Sequence, residues 1–157
     1  MKIFSIFLGV LLTVLSAVAD TSEQRERHYN LKGDGLAIKG YDPVAYFSGE
    51  PKKGHAEHSH TLRGVRYHFS SEGNLAKFKT NPTKYEPQYG GWCAYAFALK
   101  AGKVKINPKA YKIVDGKLYL FYKTLLGGDT LKKWNTQNDL AQIKIAESEW
   151  QNQLAQK

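Results

Sequence analysis

Apolar and polar residues recur along this chain at two distinct periods. Val65, Tyr67 and Phe69 alternate with Arg66 and His68, which is the period of a half-buried strand. Residues 60–63 precede them across Gly64 and read as a partner strand. Residues 110–114 and 117–122 are two further strands, carrying Tyr111, Ile113, Leu118, Leu120 and Tyr122. Asp115-Gly116 between them is a two-residue hairpin signal. Helical signals lie elsewhere. Ser71 caps a helix over 72–79 with Leu75 and Phe78 on one face. Asn81-Pro82 is an N-cap followed by proline at the first helical position. It opens a short turn through Tyr85 that Pro87 ends. Residues 125–134 predict a helix after or including Gly127-Gly128. Thr136 and Asp139 form a capping-box-like pair ahead of Leu140, Ile143, Ala146, Trp150 and Leu154, one apolar stripe. Residues 54–59 read as a loop, and residues 20–35 as a loose polar arm with a short helix near 24–29. The elements predict an α+β domain over 36–157: a small antiparallel or mixed sheet packed by helices, with a C-terminal amphipathic helix.

The N-terminus follows a different pattern. Lys2 is a positive n-region, residues 3–15 are almost wholly apolar, and Ala17, Val18 and Ala19 form an A-x-A site before a polar run. This predicts a secretory signal peptide over 1–19. The apolar run is short of the ~20 residues of a spanning helix. After cleavage the product is expected to be non-spanning, and periplasmic or secreted from a bacterium.

Composition narrows the classes. Of 23 basic side chains only Lys2 lies in the leader, so the processed chain keeps 22 against 14 acidic ones, a formal +8. A soluble basic surface explains this, as does attraction to an acidic envelope partner. The lysines are spread evenly and no recognition-helix motif is present, so nucleic acid is not an expected partner. The sole cysteine, Cys93, excludes an internal disulfide. The sole methionine is Met1, which removes thioether copper sites from the processed chain.

Five ordered motifs carry a family resemblance: residues 40–47 (Gly-Tyr-Asp-Pro-Val-Ala-Tyr-Phe), 67–71 (Tyr-His-Phe-Ser-Ser), 81–85 (Asn-Pro-Thr-Lys-Tyr), 87–94 (Pro-Gln-Tyr-Gly-Gly-Trp-Cys-Ala) and 113–120 (Ile-Val-Asp-Gly-Lys-Leu-Tyr-Leu). The chain resembles the YHS domain family in an exported, stand-alone form, from about residue 36 to 150. Many members of that family look like small treble-clef metal modules whose cysteines follow Asp-Pro-Val and lie in a Phe-Cys-Ser-x-x-Cys stretch. The matching positions here are Ala45, Ser70 and Asn74. The resemblance therefore implies no thiolate site at those three positions.

The remaining candidates for chemistry are few. Cys93 sits among aromatic residues beside Gly90-Gly91. It is a buried inert thiol, a metal ligand or a reactive thiolate. His58 and His60, two apart, fall on one face of an extended segment, a spacing that suits copper or zinc. With Cys93 they form a candidate metal set, against a reading as solvated histidines. Asp42, Tyr67, Tyr89 and Tyr111 are candidate ligand-binding residues, although an Asp before Pro is equally a turn former. No nucleophile-base-acid triad or phosphate loop is visible. The expected function is non-enzymatic binding of a metal ion, copper or zinc, or of a small ligand in the cell envelope. A thiol-dependent redox enzyme using Cys93 and a basic protein-interaction module are the alternatives.

Overall fold

A computed structural model describes residues 21–156; the predicted leader lies outside them. Six helices and six strands follow in order: α1 (Ser22–His28), β1 (Leu31–Lys32), β2 (Leu36–Ala37), β3 (His55–Leu62), β4 (Val65–Phe69), α2 (Glu72–Thr80), α3 (Pro82–Tyr85), α4 (Ala94–Ala98), β5 (Asn107–Val114), β6 (Lys117–Phe121), α5 (Thr130–Trp134) and α6 (Asp139–Leu154). A four-stranded mixed sheet has the order β1-β2-β4-β3, with β2 parallel to β4 and the other pairs antiparallel. Strands β5 and β6 make a separate hairpin. The fold is α+β, as the two periodicities predict.

Local chemistry explains several boundaries. Asp115 (φ 49°) and Gly116 (φ 71°) both take positive φ, the requirement of a tight hairpin turn matched to strand twist. The Ser71 hydroxyl accepts the Asn74 N–H at 3.2 Å and the Asn81 side chain accepts the Lys84 N–H at 3.3 Å, so both predicted caps form.

Strand β6 divides the interior. Leu118 and Leu120 face a cluster with Val65, Tyr67, Phe69, Phe78 and Cys93. Tyr119 and Phe121 face a second cluster with Tyr89, Phe97, Trp134, Ala146 and Trp150. A strand buried on both faces can join two cores because its side chains alternate. Residues 87–93 run parallel to it, bridging Pro87 to Leu118 and Cys93 to Leu120.

The structure departs from the predicted elements in five places. Residues 55–59 belong to strand β3, because His55 pairs with Phe69 and Ser59 with His68 of β4 across a bulge, despite polar side chains. The polar arm is ordered, with Arg25 and His28 buried in α1. The helix predicted over 125–134 begins only at Thr130. Gly127 takes φ 96°, and a Cβ at Gly128 would lie 2.9 Å from the Tyr122 ring, so a tight loop occupies the first half. Asn138, not Thr136, caps α6 by accepting the Ala141 N–H at 3.0 Å. In the α6 stripe Ala146 and Trp150 are buried, whereas Leu140 is exposed at the helix start.

Candidate functional site

The predicted metal set does not assemble around Cys93. Its Sγ lies 3.3 Å from the Thr130 hydroxyl and accepts the Tyr122 N–H at 3.4 Å. The thiol is completely buried. His58 stands on β3 with its Nε2 3.8 Å from the Glu57 carboxylate. The His60 ring packs edge-on against Phe78 at 6.2 Å. Among the described residues no group of three or more His, Cys, Asp or Glu side chains is placed to hold a metal ion.

The four candidate ligand-binding residues also stand apart. Tyr67 donates to the Glu86 carboxylate at 2.7 Å, Tyr111 to the Gly49 carbonyl at 3.0 Å and Tyr89 to the Ile143 carbonyl at 3.5 Å. Tyr67 and Tyr89 belong to opposite core clusters. Burial pushes the Tyr67 phenol well above its ordinary range, and the Glu86 charge adds to this.

Asp42 performs the turn role and more. Its Oδ1 accepts the N–H groups of Val44 (2.8 Å) and Ala45 (3.3 Å), and its Oδ2 accepts from the Ser70 N–H (2.8 Å), the Ser70 hydroxyl (2.7 Å) and the Asn74 amide (2.7 Å). Ala45, Ser70 and Asn74 thus meet around one buried carboxylate, and all three line a cavity of about 350 Å³. A second buried polar network was not legible in sequence. Arg25 of α1 pairs with Glu86, donates to the Leu62 carbonyl at 3.0 Å and lies 4.6 Å over the Tyr29 ring. Burial would lower the Arg25 pKa; Tyr67 and Glu86 outweigh it, and the net direction is upward.

The most distinctive charged feature is a cavity of about 520 Å³ lined by Lys32, Lys39, Lys53 and Lys105 with Asn30 and Leu31. No carboxylate lines it. Two of the ammonium groups are tethered: Lys39 donates to the Ile106 carbonyl at 2.8 Å, and Lys53 to the Lys39 carbonyl at 2.6 Å. Lys53 also lies 5.3 Å from the Tyr41 ring centroid. An ammonium has three donors, so each tethered group keeps others for a ligand.

One strained backbone run supplies Lys39 to this cavity, and a second lies behind Asn30. Ile38, Lys39 and Gly40 have φ of 51°, 53° and 78°. Tyr89, Gly90 and Gly91 have φ of 54°, 57° and 79°. A β-branched residue at positive φ is an outlier, and such residues cost on the order of 1–3 kcal/mol each. Asn30 links the second run to the cavity by donating its backbone N–H to the Gly90 carbonyl (2.9 Å) and its amide to the Gly91 carbonyl (3.0 Å). A Cβ at Gly90 would sit 2.8 Å from the Tyr29 ring, so only glycine fits there. His68 lies beside the same site; an added Cβ on Gly40 would be 3.6 Å from its Nδ1 and 3.7 Å from the Lys53 ammonium. Burial lowers the His68 pKa, and Arg66 and Lys53 lower it further.

The lysine cluster draws on residues 32, 39, 53 and 105, and no local spacing signals their meeting. The one sequence clue is Lys39-Gly40, where a lysine precedes a glycine at a turn. No protein-family profile, curated protein or solved structure matches the chain.

Proposed function

We propose that this chain is an exported, non-enzymatic YHS-like module that binds a small multivalent anion in the cavity of Lys32, Lys39, Lys53 and Lys105. The carrying observation is four lysines around one cavity with no lining carboxylate. Such a grouping destabilises itself by mutual repulsion unless counter-charge arrives. Two tethered ammoniums lower the ordering cost of binding. The sequence suggests copper, zinc or a small ligand; a small anionic ligand suits these ammonium groups and a soft metal ion does not. The meeting of Ala45, Ser70 and Asn74 at Asp42 supports the family resemblance, since these positions match the family's cysteines and here form a hydrogen-bonded cluster in their place.

Exposed charge pairs contribute about 0.2–1 kcal/mol each, so four of them suit a dissociation constant on the order of millimolar at low salt. Calorimetric titration with citrate and with inorganic phosphate tests this. Saturable, salt-sensitive binding that Lys39→Gln with Lys105→Gln weakens about tenfold is expected. Heat-silent titration with both anions, with stoichiometric copper or zinc uptake lost in Cys93→Ser, overturns the anion reading in favour of metal.

A further inference from the structure

The connection from β6 to α5 ends in an apolar tip. Leu125 and Leu126 are 104% and 100% exposed, beyond any other large apolar residue described. The loop beneath them is built, not slack. Lys123 and Asp129 pair as an antiparallel bridge. Thr124 donates its N–H to the Gly128 carbonyl at 2.8 Å, and Gly128 donates its own to the Thr124 hydroxyl at 3.2 Å. Thr130 donates its N–H to the Tyr122 carbonyl at 3.0 Å, closing the stem. Gly128 is held against the Tyr122 ring, where no Cβ fits. The stem holds two leucines away from the body, although the neighbouring Leu131 packs against the core.

Lysines outnumber carboxylates three to one in the stretch that carries the tip. Lys123, Lys132 and Lys133 are all exposed. The single carboxylate of this stretch, Asp129, is already engaged: it pairs with Lys123 at 3.2 Å and accepts the Lys132 N–H at 3.1 Å. Two projecting leucines inside a collar of lysines match an anionic bilayer surface. Alkyl side chains enter the headgroup boundary, and ammonium groups meet lipid phosphates. A protein pocket for the leucines alone has no need of the collar.

We propose that residues 123–128 are a membrane finger by which the domain docks reversibly on anionic phospholipid. This surface uses none of the lysines of the anion cavity and stands independently of that reading. Each leucine contributes on the order of tenfold to partitioning and each lysine several-fold, so the contact needs both.

Vesicle flotation tests the finger, with the chain recovered after export and its N-terminus read by mass spectrometry. The wild type should float with phosphatidylglycerol vesicles and stay behind with pure phosphatidylcholine. Leu125→Ser with Leu126→Ser should lower flotation by tenfold or more, and so should Lys123→Gln with Lys132→Gln and Lys133→Gln together. Both sets replace exposed side chains, and unchanged Tm values check their folding. In a Leu125→Trp variant, tryptophan emission should shift to the blue on adding phosphatidylglycerol vesicles. The proposal is overturned if the double-leucine variant floats like wild type, if wild type ignores anionic vesicles, or if emission does not move. It is equally overturned if Lys39→Gln with Lys105→Gln alone abolishes flotation, which would assign lipid capture to the lysine cavity. Self-association lost in the double-leucine variant, with no vesicle binding by wild type, would assign the tip to a second copy.

Discussion

The Asp42 carboxylate receives both the backbone N–H of Ser70, at 2.8 Å, and its hydroxyl, at 2.7 Å. One residue of the connection between β2 and β3 is thereby latched to the residue that follows β4. The same oxygen receives the Asn74 amide, which adds the first turns of α2 to the latch.

Removing that acceptor should be costly. Asp42 is fully buried, and replacement by Ala leaves several donors without a partner. Asp42→Ala should lose roughly 3 kcal/mol, and Asn74→Ala about 1–2 kcal/mol. Urea denaturation followed by tryptophan fluorescence measures both. An Asp42→Ala loss below that of Asn74→Ala would show that the carboxylate is not the centre of the cluster.

The Arg25 and Glu86 pair predicts non-additivity. Arg25 is completely buried, and Glu86 serves both Arg25 and the Tyr67 hydroxyl. Glu86→Leu alone should cost about 3 kcal/mol because it strands the buried Arg25 charge, and Arg25→Met less, because Glu86 is partly exposed. The double variant should cost little more than Glu86→Leu alone. Simple addition in a double-mutant cycle would remove the coupling. Limited proteolysis should cut the Arg25→Met chain earlier, near α1, since Arg25 ties that helix to Leu62 and Glu86.

Three histidines predict acid sensitivity. Burial lowers the pKa of each below 6.5, reinforced by Lys103 and Arg27 at His28, by Lys79 at His60 and by Arg66 and Lys53 at His68. The unfolded chain therefore takes up these protons first as pH falls. Their contribution to stability is complete above the unfolded value of 6.5 and is lost as pH drops through the folded values. Tm should hold between about pH 8 and 7 and fall as pH drops below about 6.5. His28→Gln should flatten part of that fall. A Tm that rises on acidification would contradict the sign.

Anion binding couples to the same titration at one position only. A bound anion beside Lys53 favours protonated His68, so citrate should raise the His68 pKa and bind more tightly at lower pH. Proton NMR of the His68 ring, with and without citrate, reads this shift. His28 should not respond, because its charged neighbours are Lys103 and Arg27 rather than cavity lysines.

Cys93 should behave as a structural thiol. Its side chain is sealed by β6 and by Thr130. Ellman's reagent should modify it only as fast as the chain unfolds. Cys93→Ala should cost on the order of 1–2 kcal/mol, for lost packing and the Tyr122 hydrogen bond. Stoichiometric modification of the native chain within seconds would restore the thiol-enzyme reading.

Near-neighbour patterns determine much of this architecture. The Asp115-Gly116 turn, the Ser71 and Asn81 caps, and the alternation of Val65, Tyr67 and Phe69 all follow from residues a few positions apart. Backbone sterics and capping act over that range, so sequence alone settles them. Other features needed the folded chain. Residues 55–59 are a strand because β4 lies beside them, and 125–129 are a loop because Tyr122 leaves no room at Gly128. Arg25 looks like a solvated charge until Glu86, 61 residues away, meets it. Lys32, Lys39, Lys53 and Lys105 look evenly scattered until β1, the strained turn after β2 and the irregular segments before β3 and β5 bring them to one cavity. A lysine carries no mark of its eventual neighbours, because charge acts through space and sequence orders residues only along the chain.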